Sequence, residues 1–183
     1  IRLLVLDLAV RGKLVPQYPE DENASILLEG ALEEQTSLIE AKAIKRKNIG
    51  PVEIEEQFFE IPPSWEWTRI WRVAHNLGQG VPTSSFSYVD VSAIDKERGV
   101  ISEEIEVLQP EDAPSRARKK VARGCVIYST VRPYLKNIAI VNRDFEPQAI
   151  VSTAFSVLMP YSQIYNQYLY YYLRSPVFVQ YVE

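Results

Sequence analysis

Five cations fall within eight residues at RARKKVAR, residues 116–123, and the pattern GCVIYSTVRPYLKNIAIV follows directly over residues 124–141. Arg116, Arg118, Lys119, Lys120 and Arg123 are candidate phosphate contacts, because guanidinium and ammonium groups neutralise a polyanionic backbone. Residues 125–128 and 138–141 are two short apolar runs, predicted as strands. The link between them holds Ser129, Thr130, Arg132, Pro133, Tyr134, Lys136 and Asn137. Arg132 and Lys136 carry donors that match guanine edges, and Asn137 carries the donor–acceptor pair that matches adenine. A polar stretch with Gln79, Thr83, Ser84, Ser85, Ser87 and Tyr88 is a second candidate surface. Charge alone favours a solvated face over a binding site, and that alternative stays open.

Other chemistry has little to work with. One Cys and one His cannot build a structural zinc site or an internal disulfide. Cys125 lies in an apolar run and reads as a buried small hydrophobe. His75 sits in VAHNLG beside a turn signal, and no spacing supports a Cys125–His75 nucleophile–base pair. LGQGVP, residues 77–82, has two glycines but no phosphate-loop lysine, so it reads as a turn. No catalytic site and no metal site is expected.

The charge is unevenly distributed. The net charge is −4 over 183 residues. Residues 1–60 carry a net −5 and residues 61–183 a net +1, yet residues 115–143 hold eight cations and no anion. An acidic chain with one basic region suits a focused site for a polyanion better than a general coat. No apolar run approaches the roughly 20 residues that span a bilayer. The single Cys and the absence of a signal-like opening predict a reducing, cytoplasmic setting. The chain opens at Ile1 without Met and closes at Glu183 inside an apolar, aromatic stretch, which predicts part of a longer protein.

These candidates need elements to hold them. IRLLVLDLAVRGKLV reads as a helix to about Arg11, stopped by Gly12 and Pro16. Residues 24–47 read as a second helix, capped by Asn23 or Ser25, with Lys42, Lys45, Arg46 and Lys47 at its C-terminal end. Its apolar stripe, Ile26, Leu27, Leu28, Ala31, Leu32, Leu38 and Ile39, needs a partner: the first helix, another chain, or both. Trp65, Trp67 and Trp71 open a different region. Residues 61–160 alternate in short strand-like runs at 87–94, 103–108, the 124–141 pair and 149–160. Residues 163–174 close the chain as a helix, with Ile164, Tyr168 and Tyr172, or Leu169 and Leu173, facing a core and Pro176 as its stop. The fold class is therefore α+β: a mixed, largely antiparallel β-rich domain with a coiled-coil-like helical arm.

Four pieces, in order, resemble one family. LDLAVRGKLVPQYPEDENASILLE resembles the end of the shared helical region of DNA-specificity subunits of type I restriction–modification systems. FFEIPPSWEWTRI resembles the entry to that family's target recognition domain. GCVIYSTVRPYLKNIAIV resembles its Gly-Asp-hydrophobic strand and Ser/Thr-x-Arg-Pro turn, with Cys125 standing where the family has an acid. STAFSVLMP with YLYYYLRSPVF resembles its closing strand and helix. The resemblance implies a helical spacer and assembly region over residues 1–57 and one recognition domain over residues 58–183. It implies a subunit without catalytic activity or a cofactor of its own. Such a subunit reads one half of a split site in double-stranded DNA. Methyltransferase subunits holding S-adenosylmethionine, and a restriction and translocase subunit using ATP and Mg, would join it. A homodimer through the helices is a further implied partner. Arg132 belongs to the shared turn, so a structural or phosphate role competes with base reading there. Two other readings remain: a scaffold that binds no DNA, and an enzyme built on Cys125 and His75.

Overall fold

The structure, a computed structural model, describes residues 2–182. The first helix, α1 (Arg2–Val10), ends where expected. Gly12 follows it at φ +68°, and a Cβ there would overlap the Pro62 ring. The chain therefore needs glycine both for the left-handed turn and for the close approach of the Pro-Pro-Ser-Trp segment.

Helix α2 (Ala24–Glu40) is shorter than the sequence predicts. It ends seven residues early because Lys42 adopts a left-handed φ of 56°. Lys42 N donates to Ile39 O and Ala43 N to Leu38 O, which closes the helix as a Schellman motif without glycine. Lys45, Arg46 and Lys47 consequently lie outside the helix. Asn23 occupies the N-cap position but makes no side-chain cap bond.

Residues 61–73, expected within the β-rich region, instead hold extended chain and one helical turn, α3 (Ile70–Val73). The strands are β1 (Ala74–His75), β2 (Phe86–Val89), β3 (Ile94–Asp95), β4 (Val100–Ile101), β5 (Val107–Leu108), β6 (Ala117–Lys120), β7 (Val126–Ser129), β8 (Ile138–Ile140), β9 (Ala149–Ser152) and β10 (Phe155–Pro160). They form a six-stranded sheet, β1-β10-β7-β8-β4-β3, and a four-stranded sheet, β5-β2-β9-β6. Among the described residues, only β2–β9 and β4–β8 pair in parallel. The fold is α+β, as expected.

Three predicted runs break. The run at 87–94 splits because the Asp90 carboxylate accepts from Val91 N and turns the chain. The run at 103–108 keeps only its last two residues as strand. The run at 149–160 bends at Thr153–Ala154, so β9 serves the four-stranded sheet and β10 the six-stranded one. The bend lets one apolar segment line the core from both sides. Val89, Ile127, Val151 and Phe155 are fully buried between the sheets, worth about 2–3 kcal/mol for each large side chain.

Helices α4 (Asn166–Arg174) and α5 (Pro176–Val182) cover the other face of the six-stranded sheet. The closing helix starts at Asn166 rather than 163, and its core face is Leu169, Tyr170 and Leu173. Tyr168 is half-exposed. Pro176 stops α4 but also begins α5, whose Phe178 N donates to Ser175 Oγ. Proline fits the first turn of a helix because no donor is needed there.

Candidate nucleic-acid interface

Strand β6 sits at the edge of the four-stranded sheet and carries the centre of the basic block. Its side chains do not share one environment. Ala117 is fully buried, while Arg116, Lys120 and Arg123 are exposed. Arg118 folds back, its Nη1 donating to Ala117 O at 2.8 Å. Lys119 turns inward, and its ammonium donates to the Phe155 carbonyl. Burial holds the Lys119 pKa below the ordinary lysine value. Lys119 lines a cleft of about 520 Å³ with Trp71, His75, Asn76 and Gln79. Among the described residues, ion pairs join Arg11 to Asp7 and Arg69 to Glu56, so no cation of 115–143 has an acidic partner.

The corner between β9 and β10 brings separate candidates together. Thr153 N donates to Arg116 O at 2.8 Å. Thr130 N and Thr130 Oγ1 donate to Ala154 O at 2.9 and 3.0 Å. Exposed Arg116, Thr130, Arg132 and Thr153 thus stand at one end of the sheets. Tyr88, half-buried in β2, pairs with Ile150 of β9, two residues before Ser152 at this corner. Burial raises the Tyr88 pKa, and the Ser152 hydroxyl and the nearby Arg116 charge oppose that rise.

The β7–β8 link has an unusual backbone. Arg132 at φ 51° and Lys136 at φ 54° flank a single 3-10 turn, Pro133–Leu135. Left-handed conformations cost non-glycine residues about 1 kcal/mol or more. They hold Val131, Tyr134 and Leu135 exposed at the tip. Asn137 is half-buried and its carbonyl accepts from Ser129 N, so its backbone serves the link while its side chain stays a candidate.

The structure also separates candidates that the sequence groups. Arg123 lies at the start of β7 and Arg132 beyond its end, with about 20 Å of strand between Gly124 and Thr130. Lys120 and Arg123 therefore belong to the opposite end from Arg116, Arg132 and Lys136. Gln79 forms a β-bridge with Lys119, and Gly80 N donates to Arg118 O. The polar stretch thus runs along β6. Thr83 and Ser84 are exposed and Ser85 is half-buried. Ser87 is buried in β2 and donates to Pro147 O, so the strand claims it. Thr130 and Thr153 were missed as surface candidates. The small polar pair Ser152–Thr153 interrupting an apolar run was the available signal.

Cys125 is fully buried and its Sγ lies 3.9 Å from Met159 Sδ. Burial pushes its thiol pKa up, the reverse of what a nucleophile needs. His75 Nδ1 lies 3.1 Å from Asn76 O, and its ring packs on Tyr161. No hydrogen bond joins thiol to imidazole among the described residues. No group of three His, Cys, Asp or Glu among them can hold a metal ion.

Helix α2 turns most of its stripe toward its own chain. Ala31 is fully buried, and Leu27 and Leu28 line a second cleft of about 380 Å³ with Trp65, Trp67 and Tyr168. Leu38 and Ile39 are half-buried, while Ile26 and Leu32 are exposed. The partner includes α3 and residues 161–163 of this chain, an option the helical pattern alone did not raise.

Sequence comparison now decides the family. The Escherichia coli type I restriction enzyme EcoAI specificity subunit is 32% identical over 98% of this chain. The chain belongs to the type I specificity-subunit family. The corresponding EcoEI specificity subunit of the same organism is 43% identical over 44% of the chain. The chain spans 31% and 14% of the lengths of these two relatives. A crystal structure of the HsdS subunit from Thermoanaerobacter tengcongensis matches with a TM-score of 0.59 and 38% identity. That match covers 64% of this chain and 31% of the other. A second solved structure, described as bearing on complex assembly and conformational transition of the type I R-M system, matches at TM-score 0.58 and 38% identity. It likewise covers 64% of this chain and 31% of the other. No family model matches.

Proposed function

We propose that this chain reads one half of a split site in double-stranded DNA, as the recognition part of a type I specificity subunit. The carrying observation is the end of the sheets where Arg116, Thr153, Thr130 and Arg132 gather, exposed and, among the described residues, without acidic partners. Unpaired cations beside hydroxyls and a tyrosine suit a surface that positions on phosphates and reads base edges. Arg116, Lys120 and Arg123 are the phosphate contacts. Arg132, Lys136 and Asn137, with Gln79, Thr83, Ser84 and Ser85, are the base-reading candidates. Residues 1–57 act as the assembly region, and exposed Ile26 and Leu32 face a partner. S-adenosylmethionine, ATP and Mg belong to methyltransferase and translocase subunits rather than to this chain. No described helix is long and apolar enough to cross a membrane. The proposed setting is the cytoplasm, where the DNA is.

Gel shifts with and without methyltransferase subunits test this reading. The chain alone binds target DNA weakly and with strong salt dependence, because its net charge is −4. Methyltransferase subunits tighten the complex. Nanomolar binding by the isolated chain at physiological salt, or no gain on adding the partners, overturns the proposal.

A further inference from the structure

The junction between α2 and the sheets is held by polar groups rather than by apolar packing alone. Gln35 is only 4% exposed, in the middle of the helix face that docks. Its Nε2 donates to Trp71 O at 2.7 Å and to Tyr161 Oη at 3.0 Å. One residue earlier, Glu34 Oε2 accepts from both Ser162 N and Ser162 Oγ at 2.7 Å. Gly30, on the same side, approaches so closely that a Cβ would meet Gln163 Cγ at 2.9 Å. Three successive residues after β10 are thereby engaged by one helix face.

A leucine at position 35 would bury more apolar surface and need no partner. A buried amide is tolerated only where its bonds are made, and such groups select one register among several. The register matters because of where the clamp lies. Tyr161 and Ser162 directly follow β10, and β10 begins at the Thr153–Ala154 corner. One strand thus joins the candidate reading surface to the helical region. A slip of one residue would rotate α2 by about 100° and change which face, including exposed Ile26 and Leu32, meets a partner.

We infer that Glu34 and Gln35 are positioning residues: they fix α2 in one register on the recognition domain and so set the angle at which partner subunits meet the DNA-reading corner. The inference rests on the DNA-reading proposal. A tilt of about 10° moves the end of a helix about 25 Å long by about 4 Å. That exceeds the ~3.4 Å rise of one base pair. The consequence of a loosened clamp is relaxed half-site spacing with unchanged base preference.

The test uses the full specificity subunit assembled with its methyltransferase partners. Gln35→Leu and Glu34→Ala remove the clamp, whereas Glu34→Gln keeps an acceptor oxygen. Methylation is measured on DNA with the native half-site spacing and with one base pair added. Nitroxide labels on Glu33→Cys and Glu97→Cys report the distance between α2 and the six-stranded sheet. The expected result is a broadened distance distribution and at least a tenfold loss of spacing discrimination in the two clamp variants. Base preference within the half-site stays unchanged, and Glu34→Gln behaves as the unsubstituted protein. Retained spacing discrimination in either clamp variant, or an unbroadened distribution in both, overturns the inference while leaving DNA reading intact. Absence of any spacing preference in the unsubstituted complex overturns the two-part reading itself, and the inference with it.

Discussion

Cys125 and Lys119 show how one side chain's surroundings decide its role. The sequence reads Cys125 as a buried hydrophobe, and the structure seals it against Met159. Because burial raises its thiol pKa, the thiolate is scarce at neutral pH. The native chain therefore reacts with a thiol reagent only after unfolding, and Cys125→Ala costs about 1 kcal/mol of stability. Rapid labelling of the folded chain would contradict this assignment. The sequence also places Lys119 with its neighbours as a phosphate contact, but the strand points it at the Phe155 carbonyl. Removing exposed Arg116 and Lys120 together lowers the slope of log K against log salt by about 2 in the DNA complex. Lys119→Ala leaves that slope unchanged and lowers the melting temperature. Salt titration of binding separates the two outcomes.

At the scale of elements, the segment between α2 and α3 is tied by one bidentate contact. Arg69 Nη1 and Nη2 donate to Glu56 Oε1 and Oε2 at 2.7 and 2.6 Å. The Arg69 hydrogen bond, then the Glu53 backbone bond, hold the Glu56 pKa below the ordinary carboxylate value. A depressed carboxylate pKa stabilises the fold above the unfolded value and loses that contribution as pH falls through the folded one. Glu56→Gln therefore lowers the melting temperature at pH 7, and the difference from the unsubstituted chain disappears in acid. A difference independent of pH would show that the pair contributes nothing through charge. Both side chains are only half-buried, so salt also shrinks the effect. The helix boundary at Glu40 was not legible in the same way. Nothing in the pattern marks Lys42 as a left-handed residue, because glycine or asparagine usually occupies that position.

At the scale of the whole molecule, the proposed function puts reading and assembly on different surfaces. Exchanging residues 61–160 for the matching segment of a relative changes the half-site that is methylated and leaves subunit assembly intact. Introducing Asp at exposed Ile26 and Leu32 weakens association with partner subunits and leaves the melting temperature nearly unchanged, since neither side chain is buried. Methylation at the original half-site after the exchange would move recognition elsewhere. Changing Leu28 would be a poorer test, because Leu28 lines the cleft under α2. The amino-acid sequence by itself determined the α+β class, the apolar runs, the sealed cysteine and the family, since these follow from local periodicity, composition and motif order. It also marked the basic block as unusual in an acidic chain. Only the tertiary structure decided which cations reach solvent together. Strand pairing puts Arg116 beside Thr153 and Thr130, and places the length of β7 between Arg123 and Arg132. Those relations join residues far apart in the chain, and no period of two or 3.6 encodes them.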